Sequence, residues 1–325
     1  MSPNLLLDVR GIRKQFSFRT GLGQTQKWLK AVDGVSFEVK KETVFALVGE
    51  SGCGKSTVAR LILKLVPLNS GKIFFKGLDI SAINGDELRR FRRSVQIVFQ
   101  DPFASLNPRM RTIDTLSEPY MIHNIIPRRE IKDRVVDLLN KVGLNQDVLT
   151  KYPHEFSGGQ RQRICIARAL SVSPELIIAD EPLSALDVSI QAQILNLLQE
   201  IKKTTAISMV FISHDLRVVR YLSDEVAVMY LGKIVETGKT DDLFNAPKHP
   251  YTELLLSSAP KLRYHRGPFS GALKPSTDSS DVPSAVDVPV GCPFHPRCPK
   301  RFDRCDKITP EFRRSEESSV ACHLY

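Results

Sequence analysis

An α/β domain built on a mainly parallel sheet is the fold class that this 325-residue chain predicts, and three observations predict it. Short apolar segments rich in β-branched and aromatic residues recur at 44–48, 73–75, 95–99, 176–179 and 209–212, as in strands buried on both faces. Helical patterns at 57–66, 129–142, 160–170 and 190–202 lie between many of them, and such alternation builds parallel sheets. The third observation is a glycine-rich turn set directly between the first of these strands and the first of these helices. With 42% hydrophobic and 25% charged residues the chain can form a core, which excludes a fibrous or disordered class.

The turn reads Gly49-Glu50-Ser51-Gly52-Cys53-Gly54-Lys55-Ser56-Thr57, a full G-x-x-x-x-G-K-S loop opening a helix. Glycines let successive N–H groups point inward, and the helix start adds partial positive charge, so the loop is expected to hold the phosphates of a nucleoside triphosphate. Lys55 is placed to hold the β- and γ-phosphates and the Ser56 hydroxyl to coordinate magnesium. After the 95–99 strand, residues 102–170 are almost strand-free and read as a helical insertion. The 176–179 strand then ends in Asp180-Glu181. Carboxylates at the carboxyl end of a parallel strand lie on the ligand-binding edge, so Asp180 is expected to reach magnesium through water and Glu181 to take a proton from the attacking water.

Phe156-Ser157-Gly158-Gly159-Gln160-Arg161-Gln162-Arg163 separates this chain from other phosphate-loop proteins. Ser157 is a good N-cap, and a helix start with two glycines favours an anion in front of it. Here the sequence resembles the ATP-binding-cassette (ABC) ATPases, whose signature is a Ser-Gly-Gly-Gln turn at a helix start. The resemblance implies a phosphate-loop NTPase domain of ABC type, with a RecA-like core, an antiparallel β subdomain, a helical subdomain and a small cysteine-containing C-terminal extension. It implies that Ser157, Gly158, Gly159 and Gln160 face the γ-phosphate held by another subunit, so that complete sites require a dimer. By the same resemblance Gln100 touches magnesium and the attacking water, and His214 holds the γ-phosphate. Asp187, in Ser184-Ala185-Leu186-Asp187, belongs to the loop crossing the dimer interface, and Phe16 stacks on adenine, with Phe18 and Trp28 as rivals.

Longer stretches narrow the resemblance to the ATPases of dipeptide/oligopeptide and nickel importers: Ala31-Val32-Asp33-Gly34-Val35-Ser36-Phe37, Gln100-Asp101-Pro102-Phe103-Ala104-Ser105-Leu106-Asn107-Pro108-Arg109, Tyr152-Pro153-His154-Glu155-Phe156 and His249-Pro250-Tyr251-Thr252. The Gln-Asp-Pro-Phe-Ala-Ser-Leu-Asn-Pro form is that of the F-type ATPase. This implies a D-type ATPase as heterodimer partner, two transmembrane permeases and an extracytoplasmic substrate-binding protein, with the chain peripheral on the cytoplasmic face of the inner membrane. Peptides are the first expected cargo and nickel the alternative. Two departures from the pattern are Lys41-Glu42, which lacks a glycine often found there, and Leu183 in place of valine.

The domain reading that follows is an ATPase domain over 1–260 with its helical subdomain at about 102–170, a Pro/Ser-rich linker over 261–291, and a cysteine module over 292–325. No apolar run approaches the roughly 18 residues of a membrane span, so a cytosolic chain with reduced thiols is expected. Cys292, Cys298, Cys305 and Cys322 then read as metal ligands, redox groups or packed thiols. Four thiolates suit zinc or an iron–sulfur cluster, and the wide spacing fits zinc poorly. The importer resemblance points to a [4Fe–4S] cluster, with zinc as the alternative and His295 and His323 as substitute ligands. A soluble nucleic-acid ATPase is the rival class, because the net charge is +10 and Arg89-Arg90-Phe91-Arg92-Arg93 is a basic run. No nucleic acid is expected, since neither a second cassette nor a coiled-coil insertion is present; importer motifs likewise disfavour an exporter.

Overall fold

The computed structural model describes residues 4–18, 26–258, 283–314 and 318–325. The chain opens with β1 (Leu5–Phe18) and β2 (Lys27–Lys40), which pair antiparallel from Leu5↔Lys40 to Phe18↔Lys27 with several register shifts. In the turn that follows, where the importers often have a glycine, Glu42 takes φ 60° and its N–H donates to the Ser208 hydroxyl at 2.8 Å. β3 (Val44–Val48) then feeds the glycine-rich loop and α1 (Lys55–Ile62). That helix ends four residues before the 57–66 pattern does, because Lys64 turns left-handed at φ 54°.

β4 (Ser70–Phe75) and β5 (Leu78–Asp79) are followed by α2 (Gly85–Ser94) and β6 (Val95–Val98). The basic run Arg89–Arg93 is the last turn of α2, where positive charge complements the helix dipole; Phe91 is buried beneath it. The helical insertion consists of α3 (Thr112–His123), α4 (Ile131–Lys141) and α5 (Gly158–Leu170). Next come β7 (Leu176–Asp180), α6 (Val188–Thr204), β8 (Ser208–Ser213), α7 (Leu216–Leu222) and β9 (Glu225–Tyr230). The chain closes with β10 (Lys233–Lys239), α8 (Thr240–Asn245), α9 (Pro250–Ser258), β11 (Arg313–Arg314) and β12 (Ser318–Val320).

Among the described residues these strands form two sheets, one of four strands in the order β2-β1-β4-β5 and one of eight in the order β11-β12-β10-β9-β3-β8-β7-β6. In the larger sheet β9, β3, β8, β7 and β6 run parallel. The 73–75 segment does not join it; it lies in β4, antiparallel to β1.

Strand periodicity explains why the large sheet is buried on both sides. Val44, Ala46 and Val48 pack into one hydrophobic core with Ile177, Ala179, Met209 and Phe211, while Phe45 and Leu47 pack into a second with Leu176, Ile178, Val210 and Ile212. Each fully buried aliphatic side chain of this kind contributes roughly 1.5–3 kcal/mol. The arrangement keeps the carboxyl ends of β3, β6, β7 and β8 at one edge, next to the loops that carry the polar motifs.

The C-terminal residues are continuous with this sheet. β12 pairs antiparallel with β10 at Glu236↔Val320, Thr237↔Ser319 and Gly238↔Ser318, and Cys292, Phe294 and Cys305 join the first core. Most of the 261–291 linker lies outside the described residues; of its near end, Ala285 accepts a hydrogen bond from the Lys30 N–H at 3.3 Å.

Candidate functional site

The loop after β3 requires its glycines. Gly49 and Gly54 take φ 154° and 109°, and a Cβ would lie 2.2 Å from the Met229 carbonyl oxygen at the first and 2.1 Å from that of Ala31 at the second. Gly52, at φ 80°, has open space around it and needs only the conformation. Ser51 and Gly52 are exposed, Cys53 is buried with its thiol pushed up by burial, and Ser56 and Thr57 are half-buried at the start of α1.

Lys55 is 4% exposed, and its ammonium donates to the carbonyls of Gly49 at 2.9 Å and Glu50 at 3.0 Å. Its Nζ also lies 3.8 Å from Glu181 Oε1. The Ser56 hydroxyl donates to Asp180 Oδ1 at 2.9 Å, so the loop of β3 and the end of β7 meet in a pair of hard oxygen donors. Burial pushes the Asp180 carboxyl up; the Ser56 hydrogen bond opposes that shift and the Glu181 charge adds to it.

Glu181 collects the remaining groups. Gln100, just beyond β6, places Nε2 3.5 Å from Glu181 Oε2, and His214 Nδ1, just beyond β8, lies 3.1 Å from the same oxygen. Glu181 itself takes φ 46°, while its N–H donates to the Ile212 carbonyl at 3.0 Å. A bulky residue in the left-handed region is a strained arrangement of the kind that collects at functional sites. Three parallel strands thus deliver Gln100, Asp180, Glu181 and His214 to the mouth of the glycine-rich loop. A general base beside a phosphate-type cradle is the arrangement that hydrolysis of a phosphoanhydride requires.

The other expected residues stand apart from this cluster. Ser157 caps α5 in a capping box: the Gln160 N–H donates to the Ser157 hydroxyl at 3.4 Å, and the Ser157 N–H donates to Gln160 Oε1 at 3.1 Å. A Cβ on Gly159 would lie 2.5 Å from Ile190 Cγ2 and one on Gly158 3.2 Å from Leu186 Cδ2, which fits the turn against the start of α6. Asp187 is exposed there, beside Val188 at 81% exposure. Among the described residues no hydrogen bond or ion pair joins Ser157–Gln160 or Asp187 to the glycine-rich loop. Phe16 is 38% exposed on β1 with the Lys14 ammonium 5.2 Å from its ring centre, and Phe18 and Trp28 are exposed as well.

The metal expectation for the tail is overturned. Cys292, Cys298, Cys305 and Cys322 surround one small cavity together with His249, His295 and His323. Yet among the described residues no group of three or more His, Cys, Asp or Glu side chains is arranged to hold a metal ion. The cysteines are free thiols; burial pushes Cys292 and Cys298 up to about 11, and Cys292 and Cys305 pack in the apolar core. His295 Nδ1 lies 2.9 Å from the Cys292 carbonyl oxygen and His323 Nε2 2.7 Å from that of Ile308, so both histidines are engaged by backbone. Although four thiols are suitable donors, their arrangement here holds neither a [4Fe–4S] cluster nor zinc. Packing, the third of the sequence readings, describes Cys292 and Cys305 in the core and Cys298 partly buried against it, while Cys322 is half-buried at its edge.

Two residues that reach the loop from behind were not foreseen from sequence. Arg297 holds Glu50 through Nη1 and Nη2, and the Tyr251 hydroxyl accepts from the Glu50 N–H. Tyr251 stood in a motif that carried no role, and Arg297 lies 247 residues from its partner.

Comparison with known proteins agrees with the geometry. Residues 32–184 match the ABC transporter family model, and residues 235–305 match that of the oligopeptide/dipeptide transporter C-terminal region. The chain is 49% identical to the oligopeptide transport ATP-binding protein AppF of Bacillus subtilis (strain 168), over 98% of this chain and 97% of the relative. It is 42% identical to the dipeptide transport ATP-binding protein DppF of Escherichia coli (strain K12), over 98% and 93%. A solved ATP-binding cassette, MJ0796, in a dimeric post-hydrolysis state bound to ADP and Pi, superposes with a TM-score of 0.64 at 25% identity, covering 72% of this chain and 99% of its own.

Proposed function

The chain belongs to the ABC transporter ATPases of the oligopeptide/dipeptide branch, and from that membership we propose that it hydrolyses ATP to drive uptake of di- and oligopeptides. The observation that carries this reading is the convergence of Lys55, Gln100 and His214 on one carboxylate, Glu181, beside the Ser56–Asp180 pair. Lys55 leaves its loop carbonyls for the β- and γ-phosphates. Glu181 accepts the proton of the attacking water, Gln100 orients that water, and His214 holds the γ-phosphate. Ser56, Asp180 and Gln100 would hold magnesium, whose chemistry is to neutralise phosphate charge. Their oxygen donors suit it, as the 2.9 Å Ser56–Asp180 contact illustrates.

The exposed turn Ser157–Gln160 and Asp187 serve the nucleotide and the interface of a second subunit, for which a related D-type ATPase is the partner. In this reading residues 1–260 form the ATPase domain, and the helical part at about 102–170 meets two membrane permeases supplied by an extracytoplasmic binding protein. Among the described residues no helix is long and apolar enough to cross a membrane, so the assignment of the chain to the inner-membrane face rests on the permeases.

Reconstitution tests this assembly. The chain, a D-type ATPase and two permeases placed in vesicles with a peptide-loaded binding protein are expected to show peptide-stimulated ATPase activity and peptide uptake. Activity equally high without peptide, together with failure to co-purify with the permeases, would refute the reading.

A further inference from the structure

The phosphate loop is held from behind by the C-terminal part of the chain. Arg297 Nη1 and Nη2 donate to Glu50 Oε2 and Oε1 at 2.8 and 2.9 Å, and Arg297 is 8% exposed. The Tyr251 hydroxyl, on a fully buried ring, accepts from the Glu50 N–H at 2.9 Å. Lys55 takes the Glu50 carbonyl at 3.0 Å. Every polar group of this one loop residue is therefore engaged, two of the three by residues beyond position 250.

These holding groups are themselves anchored. The Arg297 guanidinium lies 5.9 Å from the Tyr230 ring centre and 5.8 Å from that of Phe294, and the bidentate bond to Glu50 keeps it well above its ordinary pKa. The rings of Tyr230, Tyr251 and Phe294 pack on one another at 4.6–5.4 Å. The Tyr251 N–H donates to His249 Nδ1 at 3.0 Å, and the N–H groups of Lys248 and His249 donate to the buried Glu236 carboxylate at 2.7 and 2.9 Å. Glu236 sits in β10 opposite Val320 of β12. A continuous chain of contacts thus runs from the C-terminal strand to the loop.

We propose that Arg297 and Tyr251 are positioning residues for the phosphate loop, so that the chain from α9 onward sets the affinity for ATP. The physical basis is preorganisation. Fixing Glu50 at its amide, carbonyl and carboxylate leaves the loop less freedom to lose when phosphate binds. A bidentate ion pair is suited to this, because two parallel charge-assisted hydrogen bonds from the largely buried Arg297 fix the Glu50 carboxylate in one orientation. The inference rests on the reading that this loop binds nucleotide.

The test is calorimetric binding of Mg-ATP to the full-length chain, with thermal unfolding measured in parallel. Tyr251→Phe keeps the ring and removes only the hydroxyl; Arg297→Met keeps length and removes the fork. Each is expected to weaken ATP binding roughly tenfold, with Arg297→Lys recovering part of the loss. If Arg297→Met unfolds at the assay temperature, Tyr251→Phe decides alone. Lys55→Ala separates the two layers of the argument. Loss of binding in Lys55→Ala together with unchanged affinity in the folded Tyr251 and Arg297 variants overturns the positioning role only. Unchanged affinity in Lys55→Ala overturns the loop reading beneath it.

Discussion

The phosphate loop and the Ser157–Gln160 turn are both glycine-rich helix starts, yet the chain treats them in opposite ways. In the first, Gly49 and Gly54 press against the backbone of Met229 and Ala31, Lys55 is buried, and Glu50 is held at three points. In the second, Ser157 and Gln160 satisfy one another, both are exposed, and the glycines meet only the side chains of Leu186 and Ile190. The loop is prepared from within, while the turn keeps a capped helix start turned toward solvent; on the proposed reading these are the half of an ATP site this chain completes and the half it offers a second subunit.

The comparison breaks most visibly at Lys55. Lys55→Ala should weaken Mg-ATP binding to the isolated chain about 100-fold, since it removes charge-assisted hydrogen bonds to phosphate. Ser157→Ala should leave that same affinity unchanged in a calorimetric titration. Equal losses in the two variants would erase the distinction between loop and turn.

A smaller effect tests the support behind the loop. Burial lowers His249 from 6.5 to about 3, and among the described residues its Nε2 has no hydrogen-bond partner to stabilise a second proton. The unfolded chain therefore binds a proton that the folded chain refuses. The contribution of His249 is fully present above about pH 6.5 and is lost as pH falls toward 3, amounting to about 2 kcal/mol by pH 5. Glu236, raised by burial, acts with the opposite sign, favouring the folded state at low pH. Denaturant unfolding of the wild type and of His249→Gln at pH 7 and pH 5 should show a shallower acid loss in the variant. The smallest effect belongs to the turn: Ser157→Ala removes an N-cap and should cost about 1 kcal/mol in the same unfolding measurement.

How much of this was legible from sequence depends on which physics left a mark on it. Val44–Val48, Leu176–Asp180 and Ser208–Ser213 stand where their apolar runs lie, because a strand buried on both faces must be apolar throughout. β1 and β2 left no such mark: each is long and interrupted by register shifts, with polar residues such as Arg10, Lys14 and Lys30 among the apolar ones. The loop motif named Lys55 and Ser56, the acidic strand end named Asp180 and Glu181, and the resemblance named Gln100 and His214; the fold does bring these together. The family resemblance misled at the cysteines, where four thiols in a tail read as cluster ligands until burial and the lack of a metal-holding arrangement among the described residues are seen. Arg297 was invisible for the converse reason, since a salt bridge across 247 residues has no local signature.

The central claim is that Glu181 is the base of an ATPase whose nucleotide is held by the loop of this same chain. The most direct measurement is ATP turnover by Glu181→Gln in the assembled transporter, with Mg-ATP binding to the isolated variant measured alongside. The account predicts unchanged binding, turnover reduced by about 10²–10⁴-fold, and a trapped closed dimer. Turnover close to that of the wild type, with binding intact, would contradict it.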